Sequence, residues 1–410
     1  MSSIATAAFD GASSPADIPG SPLHAAFAQP LMLGLFLPIQ NGGWSISTLP
    51  RGTDWRFDYN ARLTKQAEAL GFDLVFGLAQ WLGKNGHGGT LKYREQSLDA
   101  FIATSALAAI TERILLISTV HALYGPWHPL HLAKFGATLD HISNARWGIN
   151  LVTGHVATEW AMFGQPMIEH DERYVRAAEF VGVLDTLWRS DANLDIRTPH
   201  WQLNDAFVSP RPRYGRPVLV NATGSDAGID YAVRHSDLIF ITSPAGADFD
   251  DAIGALPAHT AKIRAAAARV QRRVRTLINP TIVCRPSERE AHAYRDAIVA
   301  HADEGALDGF VGQARHSDAK AWARHRREQR IVGGNLHLIG SPEQIVDKLL
   351  ALKRAGCDGV QLTFFDFEPD LAYFGEAVLP LLVEAGLRHD LGHRSTSLPT
   401  TLRLPSGNCT

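Results

Sequence analysis

Residues that could hold or orient a ligand follow an apolar run in the segment GINLVTGH, residues 148–155. Asn150 interrupts a stretch that suits a buried strand, and Thr153 and His155 come directly after it. Amide, hydroxyl and imidazole groups form hydrogen bonds without carrying a fixed charge. This set of side chains predicts a pocket that binds a polar heterocycle and shields it from water, more than it predicts a hydrolytic centre.

Side chains of the same kinds follow most of the other apolar runs. Neutral amides and hydroxyls outnumber carboxylates at these positions, which are Gln40, Asn41, Gln80, Thr119, His121, Thr223, Ser225, Thr242, Ser243, Thr363 and Asp366. Barrel enzymes place their chemistry at the carboxyl ends of parallel strands. We therefore expect these residues to surround one ligand site.

The apolar runs themselves have the character of buried parallel strands. They are apolar almost throughout, which is typical of strands covered on both faces. The runs are residues 31–39, 72–79, 114–120, 147–153, 217–223, 237–242, 277–284 and 358–364. Amphipathic stretches such as 59–71 and 341–356 lie between them, the second with Ser341 as a predicted N-cap and Gly356 as its stop.

This alternation predicts an α/β fold of the (β/α)8, or TIM, barrel type. A doubly wound open sheet is the competing fold. None of the strands is followed by the G-x-G-x-x-G fingerprint that a nucleotide site in such a sheet favours. The pattern therefore favours the barrel.

Two segments exceed the repeat and are predicted insertions after strands 4 and 7, residues 154–216 and 304–337. The first holds a predicted helix at 173–188 and a hairpin near 193–209. Residues 30–386 are predicted to form the single barrel domain. Residues 1–29, rich in Ser, Ala, Pro and Gly, are interpreted as a disordered leader, and residues 387–410 as a flexible tail.

Composition excludes several classes of protein. Lys and Arg number 39 against 42 Asp and Glu, a formal net charge of -3, whereas a nucleic-acid surface needs a basic excess. No apolar run is long enough to span a bilayer. Cys284, Cys357 and Cys409 are far apart and show neither metal nor disulfide spacing, which predicts a reducing, cytoplasmic location.

Other site chemistries have weaker support. His121, His128 and His131 lack carboxylate partners at ligand spacing and no H-E-x-x-H occurs, so no metal is expected. The stretch GSDAG, residues 224–228, resembles a turn that opens a helix, where backbone N–H groups and the Ser225 hydroxyl could hold a phosphate. Ser225 could equally be a structural N-cap, and both interpretations stay open.

Several segments together resemble the bacterial luciferase-like flavin monooxygenases, in particular the dimethylsulfone, alkanesulfonate and pyrimidine monooxygenases. The resemblance runs from about Leu33 to Leu382. The order and spacing of the matching segments are more specific to this family than any one motif is. The matching segments are GPWHPLHLAKFGATLDHIS (125–143), RWGINLVTG (146–154), EHDERYVRAAEF (169–180), VSPRP (208–212), TGSDAG (223–228), LIGSPEQIVDKLLALKRAG (338–356) and YFGEAVLPLL (373–382).

The resemblance implies a luciferase-like barrel that binds reduced FMN, which a separate NAD(P)H-dependent flavin reductase supplies. With O2, such an enzyme inserts one oxygen atom into a small substrate. The resemblance also implies a homodimer or tetramer. It assigns Asn150 and Thr119 to the flavin ring and the oxygen pocket, and it implies that His121 and His155 face the substrate. The implied cofactor contacts are Ala79, Gln80, Asn150, Glu159, Arg173, Tyr174, Gly224 and Ser225.

The sequence leaves the substrate open. A small organosulfur compound, a sulfone or an alkanesulfonate, is the first hypothesis, and a pyrimidine-type heterocycle is the second. An F420-dependent oxidoreductase and a non-catalytic flavin-binding protein are the remaining alternatives. His155 stands where these families commonly have Trp, so the substrate side of the site is where the chain departs from the pattern.

Overall fold

Eight of the strands are parallel and close into a barrel, because β1 pairs with β2 on one side and with β12 on the other. The computed structural model describes residues 14–314, 316–317 and 324–389. The strand order round the barrel is β1-β2-β3-β4-β7-β8-β9-β12. These strands are β1 (Met32–Phe36), β2 (Leu74–Gly77), β3 (Leu115–His121), β4 (Trp147–Val152), β7 (Val218–Ala222), β8 (Leu238–Ile241), β9 (Arg275–Ile278) and β12 (Gly359–Phe364).

Four further strands lie outside the closed ring. The antiparallel hairpin consists of β5 (Leu194–Arg197) and β6 (Gln202–Ala206). The strand β10 (Pro280–Cys284) follows β9 directly and pairs with β11 (Leu336–Gly340) and with the end of β12. The apolar run 277–284 therefore contributes to two strands, which meet at Asn279.

Fourteen α-helices of the described residues surround the barrel or close its amino-terminal end. They are α1 (Pro22–Phe27), α2 (Phe57–Ala69), α3 (Ala100–Ala106), α4 (Pro129–Ile142), α5 (Ala157–Met162), α6 (His170–Arg189), α7 (Asp226–His235), α8 (Phe249–Arg269), α9 (Glu288–Ala300), α10 (Glu304–Ala314), α11 (Arg327–Val332), α12 (Pro342–Arg354), α13 (Phe367–Tyr373) and α14 (Leu379–Glu384), with a π-helical turn at Phe374–Val378. Within the part of the chain that the structure describes, no helix has both the length and the apolar character needed to cross a membrane.

Alternating side chains along each strand build two layers of core. Leu116 and Ile149 point outward and pack under the helices, whereas Ile117, Val218 and Leu238 join an inner cluster that fills the barrel. Successive residues of a strand face opposite sides, so an apolar run without alternation is what two buried faces require. The predicted (β/α)8 barrel is confirmed.

The interpretation of residues 1–29 as a disordered leader is wrong for residues 14–29. Leu23 and Ala26 of α1 are buried in the inner cluster, so this segment closes the amino-terminal end of the barrel. Ser14 donates a hydrogen bond to Asp237, 2.6 Å between oxygens, and Ser21 caps α1. The small residues of this segment pack at the closed end, and they become ordered because the assembled barrel provides an apolar surface for them. Residues 1–13 lie outside the described residues.

The predicted flexible tail also starts too early. Leu387 is buried, and the Arg388 guanidinium forms an ion pair with Asp73, 2.5 Å between Nη1 and Oδ2. Arg388 also donates to the carbonyl of Leu31, next to β1. Residues 387–389 therefore belong to the barrel, and the remaining predicted tail, 390–410, lies outside the described residues.

The two predicted insertions contain regular structure. Residues 154–216 hold α5, α6 and the β5–β6 hairpin, and α6 packs on α4 as the barrel helix that follows β4. Residues 304–337 hold α10, α11 and the start of β11. Two long loops that were not predicted, 37–56 and 78–99, follow β1 and β2 at the mouth of the barrel.

We expect the Leu23→Ala variant to lower the free energy of unfolding by about 2–5 kcal/mol, because it leaves a cavity at the closed end of the barrel. Urea denaturation followed by tryptophan fluorescence measures this loss. Ile102→Ala is the control, since Ile102 is 64% exposed on α3 and its truncation should change little. Equal stabilities of the two variants would show that residues 14–29 do not close the barrel.

Candidate active site

Asn150 and Thr119 form a buried polar pair inside the mouth of the barrel. They are register partners on β4 and β3, and the Asn150 amide donates to Oγ1 of Thr119 at 3.1 Å. Asn150 is 2% exposed, yet its Oδ1 atom makes no hydrogen bond within the described residues. A buried acceptor without a partner is destabilising. This oxygen is therefore available to a donor group of a ligand.

His121, Tyr124 and Glu159 form a second group beside this pair. The Tyr124 hydroxyl donates to Oε2 of Glu159 at 2.5 Å, and the backbone N–H of Trp81 donates to Oε1 at 3.3 Å. The rings of His121 and Tyr124 stack with centroids 4.8 Å apart. Nε2 of His121 lies 3.6 Å from Oε2 of Glu159. The group connects the end of β3 to α5 and to the loop after β2.

Burial determines the charges of this group. Burial, and then the nearby His155, lower the pKa of His121 to about 3. Burial raises the pKa of Glu159 in spite of the hydrogen bonds that it accepts from Tyr124 and Trp81. His121 is therefore a neutral imidazole at physiological pH. Its contact with Glu159 positions the ring and is not an ion pair.

The amino-terminal end of α7 forms a cradle on the neighbouring strand. Ser225 is the N-cap of α7 and accepts from the N–H of Gly228 at 3.1 Å. The Tyr174 hydroxyl lies 3.4 Å from Oγ1 of Thr223. A Cβ atom added to Gly224 would meet nothing within 4 Å, so the cradle is open there. Helix N-termini of this kind favour anions.

The other predicted site residues lie in different surroundings. Arg173 is 1% exposed, and its guanidinium donates to the carbonyl of Gly154 at 2.5 Å, beneath the loop after β4. His155 is exposed at the rim, with Nδ1 2.8 Å from the hydroxyl of Ser317. Ala79 and Gln80 are half-buried after β2, and Gln80 accepts from Arg94 at 3.4 Å.

The structure brings most of these residues to one end of the barrel. Asn150 is also the register partner of Val220 on β7, so the amide and the α7 cradle lie on adjacent strands. Ser225 is indeed a structural cap, as one of the two interpretations held. Its cap role leaves the hydroxyl hydrogen for a ligand, since the oxygen is the acceptor.

Sequence reasoning missed three contributors to the mouth. Tyr124 lies three residues beyond β3, and no pattern marked it. Arg94 lies in the unpredicted loop after β2. Gln361 is fully buried on β12 with neither amide atom hydrogen-bonded within the described residues. Its signal was present, because a Gln in the apolar run 358–364 resembles Asn150 in the run 147–153.

A closed parallel barrel with a polar mouth of amides, hydroxyls and a helix N-terminus defines the class of this protein. Residues 32–359 match the luciferase-like monooxygenase family, and the chain belongs to this family. The resemblance drawn from the sequence motifs is confirmed. Over the residues that are described, no group of three His, Cys, Asp or Glu side chains could hold a metal ion.

Individual relatives cover nearly the whole chain. The FMNH2-dependent dimethylsulfone monooxygenase of Pseudomonas putida is 31% identical over 367 residues, 87% of this chain and 96% of the relative. Pyrimidine monooxygenase RutA of Allorhizobium ampelinum is 32% identical over 361 residues, 85% of this chain and 95% of the relative.

Solved structures agree on the fold. DmoA from Hyphomicrobium sulfonivorans superposes with a TM-score of 0.75 at 19% identity, covering 88% of this chain and 90% of that chain. The riboflavin lyase RcaE, solved with modified FMN and riboflavin, has a TM-score of 0.74 at 23% identity, covering 88% of this chain and 93% of that chain. At these identities the likeness shows the fold alone.

We expect Gly228→Ala to destabilise the protein by about 1–3 kcal/mol through overpacking. Its Cβ would lie 1.7 Å from Oγ1 of Thr223 and 2.7 Å from the Tyr174 hydroxyl. Gly254→Ala on α8 is the matched control, because nothing lies within 4 Å of its Cβ and a helical Ala should stabilise by about 0.4–1 kcal/mol. Chemical denaturation of both variants checks the opposite signs, and a stabilising Gly228→Ala would refute the crowded cradle.

The low pKa of His121, about 3 in the fold against an ordinary value of 6.5, predicts a pH-dependent stability. Between these two values the unfolded chain binds a proton that the folded chain does not. Stability should therefore fall as the pH drops from 6.5, by up to about 1.4 kcal/mol per unit. His121→Asn should make this fall shallower.

The measurement is the melting temperature at pH values between 4 and 7. Both the parent and the His121→Asn variant should carry Glu159→Gln, since the Glu159 carboxyl would otherwise titrate beside the imidazole. His301→Asn, at an exposed position on the surface, is the control. Parallel pH profiles with and without His121 would contradict a neutral buried imidazole.

Proposed function

We propose that this chain is a two-component monooxygenase that uses reduced FMN and O2 to oxidise a small organosulfur substrate of the sulfone or alkanesulfonate class. One observation carries the proposal. The side-chain oxygen of Asn150 is buried and has no partner among the described residues, at the same mouth where the α7 N-terminus offers donors to an anion. A molecule with a polar ring and a phosphate tail satisfies both.

The residues of the mouth fit FMN. The α7 N-terminus, Ser225 and the Tyr174 hydroxyl offer donors to the phosphate. The carboxylate of Asp226 in the first turn is engaged by Lys262, which limits its repulsion of a phosphate. Asn150 and Thr119 offer amide and hydroxyl groups to the ring. The FMNH2 dependence named for the Pseudomonas relatives supports the same cofactor.

Each side chain then has a limited task. Bound reduced flavin supplies the electrons with which O2 is activated, so that one oxygen atom enters the substrate and the other leaves as water. The strands of the barrel and the aromatic residues at its mouth would exclude water from the flavin ring. Neutral His121 can donate or accept one hydrogen bond without adding a charge. Glu159 and Tyr124 hold its ring in place.

The Pseudomonas relatives are named as FMNH2-dependent, which supports a flavin that is already reduced when it binds. A separate NAD(P)H-dependent flavin reductase is therefore the proposed transient partner. Oxidation of a pyrimidine-type heterocycle is the second candidate function. The observation that favours it is the RutA group of relatives, which are as similar to this chain as the dimethylsulfone enzymes are.

The test starts with anaerobic titration of the protein with reduced and oxidised FMN. We expect clear preference for the reduced form. Admission of air with sulfones, alkanesulfonates and pyrimidines should then give product with one of these classes. Binding of F420 in place of FMN, or flavin binding with all of the consumed oxygen released as peroxide whichever substrate is present, would refute the proposal. Product from pyrimidines alone would favour the second candidate.

Ser225→Ala should weaken binding of reduced FMN by about ten-fold, because one hydrogen bond to a charged phosphate is lost. Ser287→Ala is the matched control, since Ser287 caps α9 in the same manner and lies on a helix outside the cradle. Both variants should lose about 1 kcal/mol of stability from the missing cap. Equal FMN affinities for the two variants would remove Ser225 from the phosphate site.

A further inference from the structure

Three hydrogen-bond donors in the loops after β1 and β2 have no partner among the residues that the structure describes. They are Nε of Arg94, Nε1 of Trp44 and Nε2 of Gln80, all buried and without an acceptor within the described residues. We name these three residues the donor cluster. Buried donors are nearly always satisfied in native proteins. Three such donors in one place indicate a missing acceptor that a ligand would provide.

The donor cluster lies at the mouth of the barrel. The backbone N–H of Arg94 donates to the carbonyl of Asn41, just beyond β1, at 3.1 Å. The Arg94 guanidinium lies 4.8 Å from the Trp44 ring centroid and 4.9 Å from that of Tyr93. The Trp44 ring in turn packs edge-on against Phe36, the last residue of β1, with centroids 3.9 Å apart. The Arg94 guanidinium therefore packs against aromatic rings at the open end of the barrel.

Arg94 has no counter-ion within the described part of the chain. It is 8% exposed, and no carboxylate of the described residues lies within the 4.0 Å of an ion pair. Among the described residues, its side chain donates only to Oε1 of Gln80, at 3.4 Å. Burial, and then the charge of Arg94, lower the pKa of the neighbouring His87 to about 3, so His87 stays neutral. An arginine cannot shed its proton, and a buried charge without a partner is destabilising.

The backbone is held in an unfavourable conformation to present this side chain. Lys92 and Arg94 have φ angles of 43° and 62°, in the left-handed region that non-glycine residues avoid. The side chain of Asn41 fixes the loop. Its Nδ2 donates to the backbone carbonyls of Leu91 and Lys92, and its Oδ1 accepts from the backbone N–H of Gln96. Strain of this kind persists where the surroundings enforce it, often at binding sites.

We propose that the donor cluster binds an anionic, oxygen-bearing group of the substrate, such as a sulfonate or sulfinate. This inference rests on the proposed function and specifies its substrate class. The guanidinium presents a planar fork of N–H groups that matches two oxygens of an oxyanion. A neutral sulfone or a pyrimidine would leave the cation uncompensated.

The position in the barrel agrees with this role. β1 and β7 are four places apart in a closed ring of eight strands, so they stand on opposite sides of the mouth. The α7 cradle follows β7, and the donor cluster follows β1 and β2. The α7 cradle would hold the phosphate of the cofactor, and Asn150 on the adjacent strand would face its ring. The donor cluster then holds the anionic end of the substrate on the far side.

The test is anaerobic titration calorimetry with ethanesulfonate and diethyl sulfone, an anionic and a neutral probe. Each is titrated into the protein alone and into the protein saturated with reduced FMN. The wild type should bind ethanesulfonate at least about ten-fold more tightly than diethyl sulfone. Arg94→Gln should weaken ethanesulfonate binding by roughly 10- to 100-fold and leave the neutral probe within about three-fold.

Arg275→Gln is the matched control, because the Arg275 guanidinium also lies over an aromatic ring, that of Phe27, but at the closed end of the barrel. It should bind both probes as the wild type does. If Arg94→Gln fails to fold, Trp44→Phe removes one donor and keeps a ring, and should weaken ethanesulfonate binding several-fold.

Two results would overturn the proposal. One is equal affinity of the wild type for the two probes. The other is loss of reduced-FMN affinity in Arg94→Gln with unchanged ethanesulfonate binding, which would assign the donors to the flavin ring. Failure of the wild type to bind reduced FMN would instead refute the proposed function, while titration of the protein alone still tests the donor cluster.

Discussion

Pairing between β1 and β12 is the constraint on which the rest of the structure depends. This pairing closes the sheet, so that the carboxyl ends of eight strands form one ring. Polar residues that are far apart in the chain, such as Arg94, Asn150 and Ser225, then lie round a single opening. In an open sheet the ends of β1 and β7 would be separated by three strands in a row. Closure makes them face each other across a mouth.

The two ends of the barrel differ in how they treat polar groups. At the closed end, Leu23 and Ala26 fill the interior, and Asp237 is satisfied by Arg216, Leu219 and Ser14. Burial opposes ionisation of Asp237, but the Arg216 guanidinium holds its pKa below the usual range. At the open end, Asn150, Gln361 and Arg94 keep buried atoms that have no partner among the described residues. A ligand in the mouth could satisfy these atoms.

Burial and hydrogen bonds determine the charges at the mouth of the barrel. His121 is neutral because burial disfavours its cation, and Glu159 is held by donors from Tyr124 and Trp81. The fixed positive features, the α7 N-terminus and Arg94, lie on opposite sides. Such a distribution suits a ligand set with negative groups at its two ends and a polar but uncharged middle. It gives the proposed flavin and an anionic substrate separate anchoring points.

The class of fold can be predicted from the amino-acid sequence, because buried parallel strands need apolar residues on both faces and the eight runs have them. The sequence also indicated Asn150, Thr119 and Ser225, since a polar residue inside or just after such a run has few roles other than binding or capping. Tertiary structure decided the rest. The order of residues 14–29 depends on an apolar cavity that exists only after the barrel closes, and a composition rich in small residues gives no sign of it. The environment of Arg94 depends on a loop conformation held by Asn41 from another loop, and the neutrality of His121 depends on burial. A local sequence pattern shows neither which distant segments will touch nor which side chains will be buried away from water.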